Sequence, residues 1–246
     1  MPQTAWYKSW FNSPHYYTLY QHRDYTEAYH FIERLLNHLQ PKAGSKMLDV
    51  ACGKGRYSKV LFEHGFDVTG IDIAADAIAE AKQQEEERLQ FYVHDMRQPF
   101  WINYFDIAFN FFTSFGYFRT KREHDAALRT ISQSLLPKGT FVIDYLNVAH
   151  ATTHLVAKEQ KHIDGTYFNI DRWADEYYFY KQIAVSTDGT HFDVASTEKV
   201  AKFTLSDFQQ MLAKQGLTVN EVFGNYQLGY YDSQHSERLI IVATKQ

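Results

Sequence analysis

The feature that most constrains the fold is a regular alternation of short apolar runs with helical segments between residues 47 and 145. Runs at 47–51, 66–71, 89–93, 105–111 and 140–145 are nearly continuous in apolar residues, as strands buried on both faces must be. Helical patterns fill the gaps at 55–64, 75–87 and 121–136, with Gly65 stopping the first and Pro137 and Gly139 the last. Such alternation predicts an α/β fold whose mostly parallel sheet carries helices on both faces. With 246 residues, the chain is long enough to bury one core of this kind.

The rhythm changes at both ends. Residues 1–44 are aromatic and polar, with helical spacing over 25–39 (Ala28, Phe31, Ile32, Leu35, Leu36, Leu39) that Pro41 and Gly44 terminate. This segment reads as a helical cap. From 160 to 203 the pattern is that of antiparallel strands at 166–173, 176–186 and 191–203, with Ser186-Thr187-Asp188-Gly189-Thr190 as the turn between the last two. Thr204 and Asp207 resemble a capping box opening a helix that ends at Gly216, and runs at 217–223 and 238–244 bring the main sheet to seven strands. The expected organisation is one domain over 1–246: the cap (1–44), an α/β half (45–150), an antiparallel β insertion (160–203), and a helix and strands (204–246) that complete the sheet.

The strongest motif is Met47-Leu48-Asp49-Val50-Ala51-Cys52-Gly53-Lys54-Gly55-Arg56. An apolar strand enters a small-residue turn, then a helix. Gly53 and Gly55 let the backbone bend sharply and leave no side chain between it and a ligand. The amides of the turn and the helix N-terminus favour an anionic group such as a carboxylate. Nineteen positions after Gly53, Asp72 ends a second apolar run, where a carboxylate can accept from both hydroxyls of a ribose. Its alternative role is to cap the next helix. Asp95 and Met96 follow the third run, placed to accept from an adenine amino group and to pack on its ring; a local turn is the alternative for Asp95.

A nicotinamide fingerprint requires G-x-G-x-x-G, and here the third position is Ser58. Asp49, two residues before the turn, would repel a pyrophosphate but suits an ammonium group. The pattern therefore favours a nucleoside cofactor with an amino-acid end. The residues Asp49 to Gly55, Gly70-Ile71-Asp72 and the run Phe105-Asp106-Ile107-Ala108-Phe109-Asn110 resemble the class I S-adenosylmethionine-dependent methyltransferases, with Ala51 at the first glycine of the signature. The layout is similar to members acting on small molecules that carry a β insertion after the fifth strand.

The resemblance implies a Rossmann-like fold, with 45–150 as the cofactor-binding half and S-adenosylmethionine as cofactor, converted to S-adenosylhomocysteine. Asp49 would sit near the methionine amino group, and the backbone of Ala51, Cys52, Gly53 and Gly55 would border its carboxypropyl chain. Asp72 would hold the ribose, Ile73 would lie beside the adenine with Asp95 and Met96, and Asn110, Phe111 and Ser114 would approach the methyl group. The N-terminal segment and insertion would cover the pocket, with Tyr16, Tyr17, Tyr20 and Arg23 as lid candidates. A Tyr or Arg there could meet the cofactor carboxylate; packing of these aromatics on the core is the alternative.

Methyl transfer from a sulfonium needs alignment and exclusion of water, so no metal is expected. His150 and His154 have a spacing that can bind metal, but no third ligand is evident. Candidates for the acceptor side are Tyr16, Ser114, Tyr145, Asn147 and His235, and for a general base Tyr145, Asn147, His150 and His235. Cys52 reads as a small turn filler rather than a nucleophile. With 25 Lys and Arg against 29 Asp and Glu, and no basic run, a nucleic-acid partner is not expected. One cysteine, no apolar run of membrane-spanning length and no signal-like start point to a cytoplasmic protein. Aromatic residues make up 17% of the chain, enough to wall a small-molecule pocket as well as fill a core. The insertion could serve as a lid or as a homodimer surface. The competing readings are a protein or RNA methyltransferase, a non-catalytic cofactor-binding or interaction protein, and a nicotinamide oxidoreductase.

Overall fold

The computed structural model describes residues 6–21 and 25–246. Its main sheet is built from β1 (Lys46–Val50), β2 (Asp67–Asp72), β3 (Leu89–Val93), β4 (Phe105–Asn110), β5 (Leu135–Leu146), β10 (Leu217–Phe223) and β11 (Arg238–Lys245). Their order is β10-β11-β5-β4-β1-β2-β3. β5, β4, β1, β2 and β3 run parallel, while β11 is antiparallel to both β5 and β10. The central strands are buried on both faces, which is why their sequences lack the polar alternation of a half-exposed sheet.

Helices form the two covering layers. On one face lie α3 (Tyr25–Leu39), α4 (Arg56–Glu63) and α5 (Ala75–Ala81), whose buried residues join Met47, Val68, Phe91 and Phe109 in one cluster. Phe31, Ile32, Leu35 and Leu36 of α3 recur at the spacing of a single helix face, and that face is the one buried. On the other face, α6 (Lys121–Ser134) and α8 (Leu205–Ala213) supply Leu128, Ile131, Phe208 and Leu212 to a second cluster. Each of these two helices starts with a reciprocal capping box, Thr120 with Glu123 and Thr204 with Asp207.

After β5 comes α7 (Val148–Thr153), then β6 (Lys158–Ile163), β7 (Thr166–Ala174), β8 (Tyr178–Ser186) and β9 (Asp193–Ala201), which form a separate antiparallel sheet. Two short helices, α1 (Trp6–Trp10) and α2 (Pro14–Tyr20), lie on it: Trp10 and Leu19 are buried with Phe168, Ile170 and Ile183. Full burial of side chains this size contributes ~1.5–3 kcal/mol each, so helices of five and seven residues are held by this contact rather than by helical propensity.

Several expectations need correction. The insertion has four strands, because Lys158–Ile163 pairs with β7 although its charged sequence carries little strand signal. The helix expected over 75–87 is helical only to Ala81, followed by a 3-10 turn at Lys82–Gln84. Beyond it the chain turns back into β3: the Glu85 carboxylate accepts from Phe91 N at 2.8 Å, and Glu86 bridges to Leu89. The fifth strand begins at Leu135, before Pro137 and Gly139, because Leu135 is buried opposite Phe105 and the register shifts beyond it. None of the described helices is long and apolar enough to cross a membrane.

Candidate functional site

The sheet order places β2 on one side of β1 and β4 on the other, so the chain leaves the carboxyl ends of these neighbours in opposite directions. A crevice forms at such a switch point. Here it deepens into a cavity of ≈ 660 Å³, floored by the turns after β1, β2, β3 and β4 and roofed by α1, α2 and β9.

The turn after β1 holds three consecutive odd-numbered residues at positive φ: Ala51 at 63°, Gly53 at 56° and Gly55 at 80°. Ala51 pays strain there that a glycine would not. A Cβ on Gly53 would meet nothing within 4 Å, so space lies open beside this backbone. A Cβ on Gly55 would lie 2.5 Å from the Phe91 ring, so Gly55 permits close helix–sheet approach rather than ligand contact. Cys52 N is bonded to Ile71 O at 3.0 Å, which ties the turn to β2. Burial pushes the Cys52 thiol well up, so the group stays protonated.

Asp72 is 9% exposed and receives Gly53 N on Oδ2 and Ala74 N on Oδ1, each at 2.8 Å. Burial raises its carboxyl, and the backbone donors offset part of that. Each oxygen keeps a lone pair for a further donor, as a ribose diol requires. The capping role and the ligand role are thus compatible. Asp49 lies deeper, accepting from Ser58 Oγ at 2.6 Å, and burial, with Asp72 nearby, pushes its carboxyl up to about 7. It lies behind the turn rather than on the cavity wall.

Past β3, Asp95 and Met96 line the cavity. Arg97 grips Asp95 through Nε (3.0 Å to Oδ1) and Nη2 (2.6 Å to Oδ2) and reaches Glu123 through Nη1 at 2.6 Å. Burial pushes the Asp95 carboxyl up, but Arg97 outweighs it and holds the group below its usual value. Past β4, Asn110 is wholly buried and clamps β4 to β1 through Nδ2 to Val50 O at 3.0 Å, so it supports the wall without forming it. Phe111, Phe112, Thr113 and Ser114 do line the cavity.

Phe112 and Thr113 both adopt left-handed backbone, at 58° and 57°. A buried network holds them there. Asp144, fully buried on β5, accepts Phe112 N at 2.8 Å and Tyr226 Oη at 3.0 Å, and pairs with Arg238 at 2.8 Å. Arg238 also donates to Thr113 Oγ1 at 3.0 Å, and Thr113 N to Asp144 O at 2.8 Å. Sequence reasoning missed this group. The available signal was a lone acid in Phe141-Val142-Ile143-Asp144-Tyr145, since a charge in a buried strand needs a counter-charge.

Tyr16, Tyr17 and Tyr20 line the roof, and Arg23 lies outside the described residues. Tyr17 donates to Phe11 O at 2.8 Å, and Lys54 of the first turn sits 3.9 Å above its ring. Glu198 of β9 also lines the roof; nothing in the polar alternation of its strand singled it out.

Three expected acceptor-side residues are elsewhere. Tyr145 is fully buried, its hydroxyl donating to Ala201 O at 2.6 Å to fasten the insertion to the sheet. Asn147 donates to Ser236 O at 2.7 Å and Asp232 O at 3.3 Å, bracing the loop before β11. His235 is 84% exposed and pairs with Asp232. His150 stacks on His154 at 4.0 Å, away from the cavity wall, and among the described residues no group of three His, Cys, Asp or Glu side chains is placed to hold a metal.

A family model described as a methyltransferase domain matches residues 20–222. YqeM from Bacillus subtilis (strain 168), a methyltransferase by name, is 26% identical over 94% of each chain. The dTDP-3-amino-3,6-dideoxy-alpha-D-glucopyranose N,N-dimethyltransferase of Streptomyces fradiae is 30% identical over 50% of this chain and 47% of its own. The crystal structure of an S-adenosylmethionine-dependent methyltransferase from Clostridium acetobutylicum ATCC 824 superposes with a TM-score of 0.77 at 16% identity, covering 94% of this chain and 96% of that one.

Proposed function

Since the chain belongs to the methyltransferase-domain family and is a class I S-adenosylmethionine-dependent methyltransferase, we propose that it methylates a small-molecule acceptor inside the roofed cavity. The observation that carries this reading is the cavity itself. At ≈ 660 Å³ it is within the range of small-ligand sites, and α1, α2 and β9 roof it. The name of the Streptomyces fradiae relative, which acts on an amino sugar, supports the same class of acceptor.

The residues present fit the cofactor. The open space beside Gly53 accommodates its amino-acid chain, and the Asp72 oxygens accept the ribose hydroxyls. Ile73, Asp95 and Met96 would flank the adenine, while Asp49, bonded to Ser58 behind the turn, would not touch the amino group directly. When bound, the cofactor supplies an electrophilic methyl group on a sulfonium. The protein then has to align the acceptor and keep water out. The Phe112–Thr113 turn, locked by Asp144 and Arg238, sets one wall of that approach, and the tyrosines of α2 close it.

Calorimetry with S-adenosylhomocysteine tests the site. The wild-type protein should bind it, and Asp72→Ala should weaken binding several-fold or more; equal binding by both proteins would refute the ribose assignment. Incubating the enzyme and methyl-labelled S-adenosylmethionine with a cell extract tests the acceptor class. Label should enter the low-molecular-mass fraction, and label confined to protein or RNA would refute the proposal.

A further inference from the structure

Among the described residues, the N-terminal helices and the insertion sheet bring one charged side chain to the cavity wall, Glu198 of β9. Two donors from the roof, Trp10 Nε1 at 2.7 Å and Tyr20 Oη at 3.1 Å, both fall on its Oε1. Among the described residues no donor falls on Oε2, the oxygen that faces a ligand in this scheme. The surrounding wall is aromatic: Tyr16 contacts Trp10, Tyr20 and Phe11, and Phe11 contacts Tyr117. Tyr117 in turn donates to Thr113 O at 2.5 Å, so this cluster runs from Glu198 to the turn after β4. Lys181, the cross-strand neighbour of Glu198 on β8, donates to the Tyr20 hydroxyl and lies outside the cavity wall, so Glu198 is the charge that the roof presents to the cavity.

A carboxylate oxygen set among tyrosine faces suits a cation and disfavours an anion. We propose that the methyl acceptor is an amine, bound as its ammonium by Glu198 within the Tyr16–Tyr20–Tyr117 wall. This rests on reading the cavity as a methyl-transfer site and goes beyond it by naming the acceptor group. The ammonium releases one proton to solvent, which exposes the nitrogen lone pair. The N–C bond then forms as the C–S bond breaks, with the C–S electron pair remaining on sulfur. The sulfonium charge passes to the methylated nitrogen, and one proton is released per transfer. Glu198 acts in this scheme as a binding and orienting residue.

Glu198→Gln separates charge recognition from architecture, because the amide oxygen still accepts from Trp10 and Tyr20. The probes are benzylammonium chloride and benzyl alcohol, titrated calorimetrically into protein saturated with S-adenosylhomocysteine. Wild type should prefer the ammonium at least fivefold, and Glu198→Gln should abolish that preference while binding S-adenosylhomocysteine within twofold of wild type. A smaller preference in the wild type, no binding of either probe, or a preference that survives in Glu198→Gln would overturn the proposal. Failure of the wild type to bind S-adenosylhomocysteine would instead sink the methyl-transfer reading itself, so the two failures are distinguishable.

Discussion

Replacing Arg238 with methionine should damage this protein more than any nearby truncation of similar size. The Asp144 carboxylate is fully buried, whereas the Arg238 side chain is 16% exposed, so the substitution strands the less accessible charge. Asp144 would keep Phe112 N at 2.8 Å and Tyr226 Oη at 3.0 Å, two donors without a compensating positive charge. Breaking a buried pair from one side costs about 3–5 kcal/mol. The partial exposure of Arg238 and the two remaining donors place this case near the lower figure, about 3 kcal/mol. In a chain of this length that corresponds to a drop in Tm of roughly 6–12 °C. Urea unfolding is the assay, with an unchanged m-value as the sign that only stability moved. The companion variant Asp144→Asn/Arg238→Met removes the stranded charge while leaving an oxygen for Phe112 N, and should recover more than half of the loss. The reasoning fails if Arg238→Met costs less than about 1 kcal/mol, or if the two substitutions are simply additive.

Two further outcomes follow from the turn after β1. Burial raises the Asp49 carboxyl from 3.8 to about 7, so between those pH values the native state holds a proton that the unfolded chain has lost. Stability must then fall as pH rises through that window, and Asp49→Asn should flatten the decline by an amount of order a few kcal/mol, measured by denaturation at pH 5 and pH 8. An unchanged slope would mean that Asp49 is not the group responsible. Gly55→Ala combines φ of 80° with a Cβ 2.5 Å from the fully buried Phe91 ring; it should destabilise by about 1–3 kcal/mol in a thermal melt, and a neutral result would show that the ring can move aside.

How much of this was legible in the sequence depends on the range over which each feature is encoded. The helix over 25–39, the strand over 89–93 and the Thr204–Asp207 capping box are local patterns, and all three are where the spacing put them. The glycine turn and Asp72 were equally legible, because a βα unit brings two points nineteen residues apart to neighbouring strand ends, and Gly53 N does meet Asp72 at 2.8 Å. Tyr145, Asn147 and His235 were misjudged because adjacency to a strand end says nothing about which way a side chain turns. Tyr145 turns to Ala201, 56 positions away.

What the amino-acid order determined alone is the alternation of buried strands and amphipathic helices, and with it a mostly parallel sheet that sets a small-residue turn and a carboxylate at neighbouring strand ends. What only the tertiary structure decided is how the roof and the turn after β4 are held. Glu198 meets Trp10 across 188 positions, and Arg238 meets Thr113 across 125. Contacts over such separations leave no periodic trace in a sequence, because solvent exclusion and charge pairing act between surfaces that come together only once the core has closed.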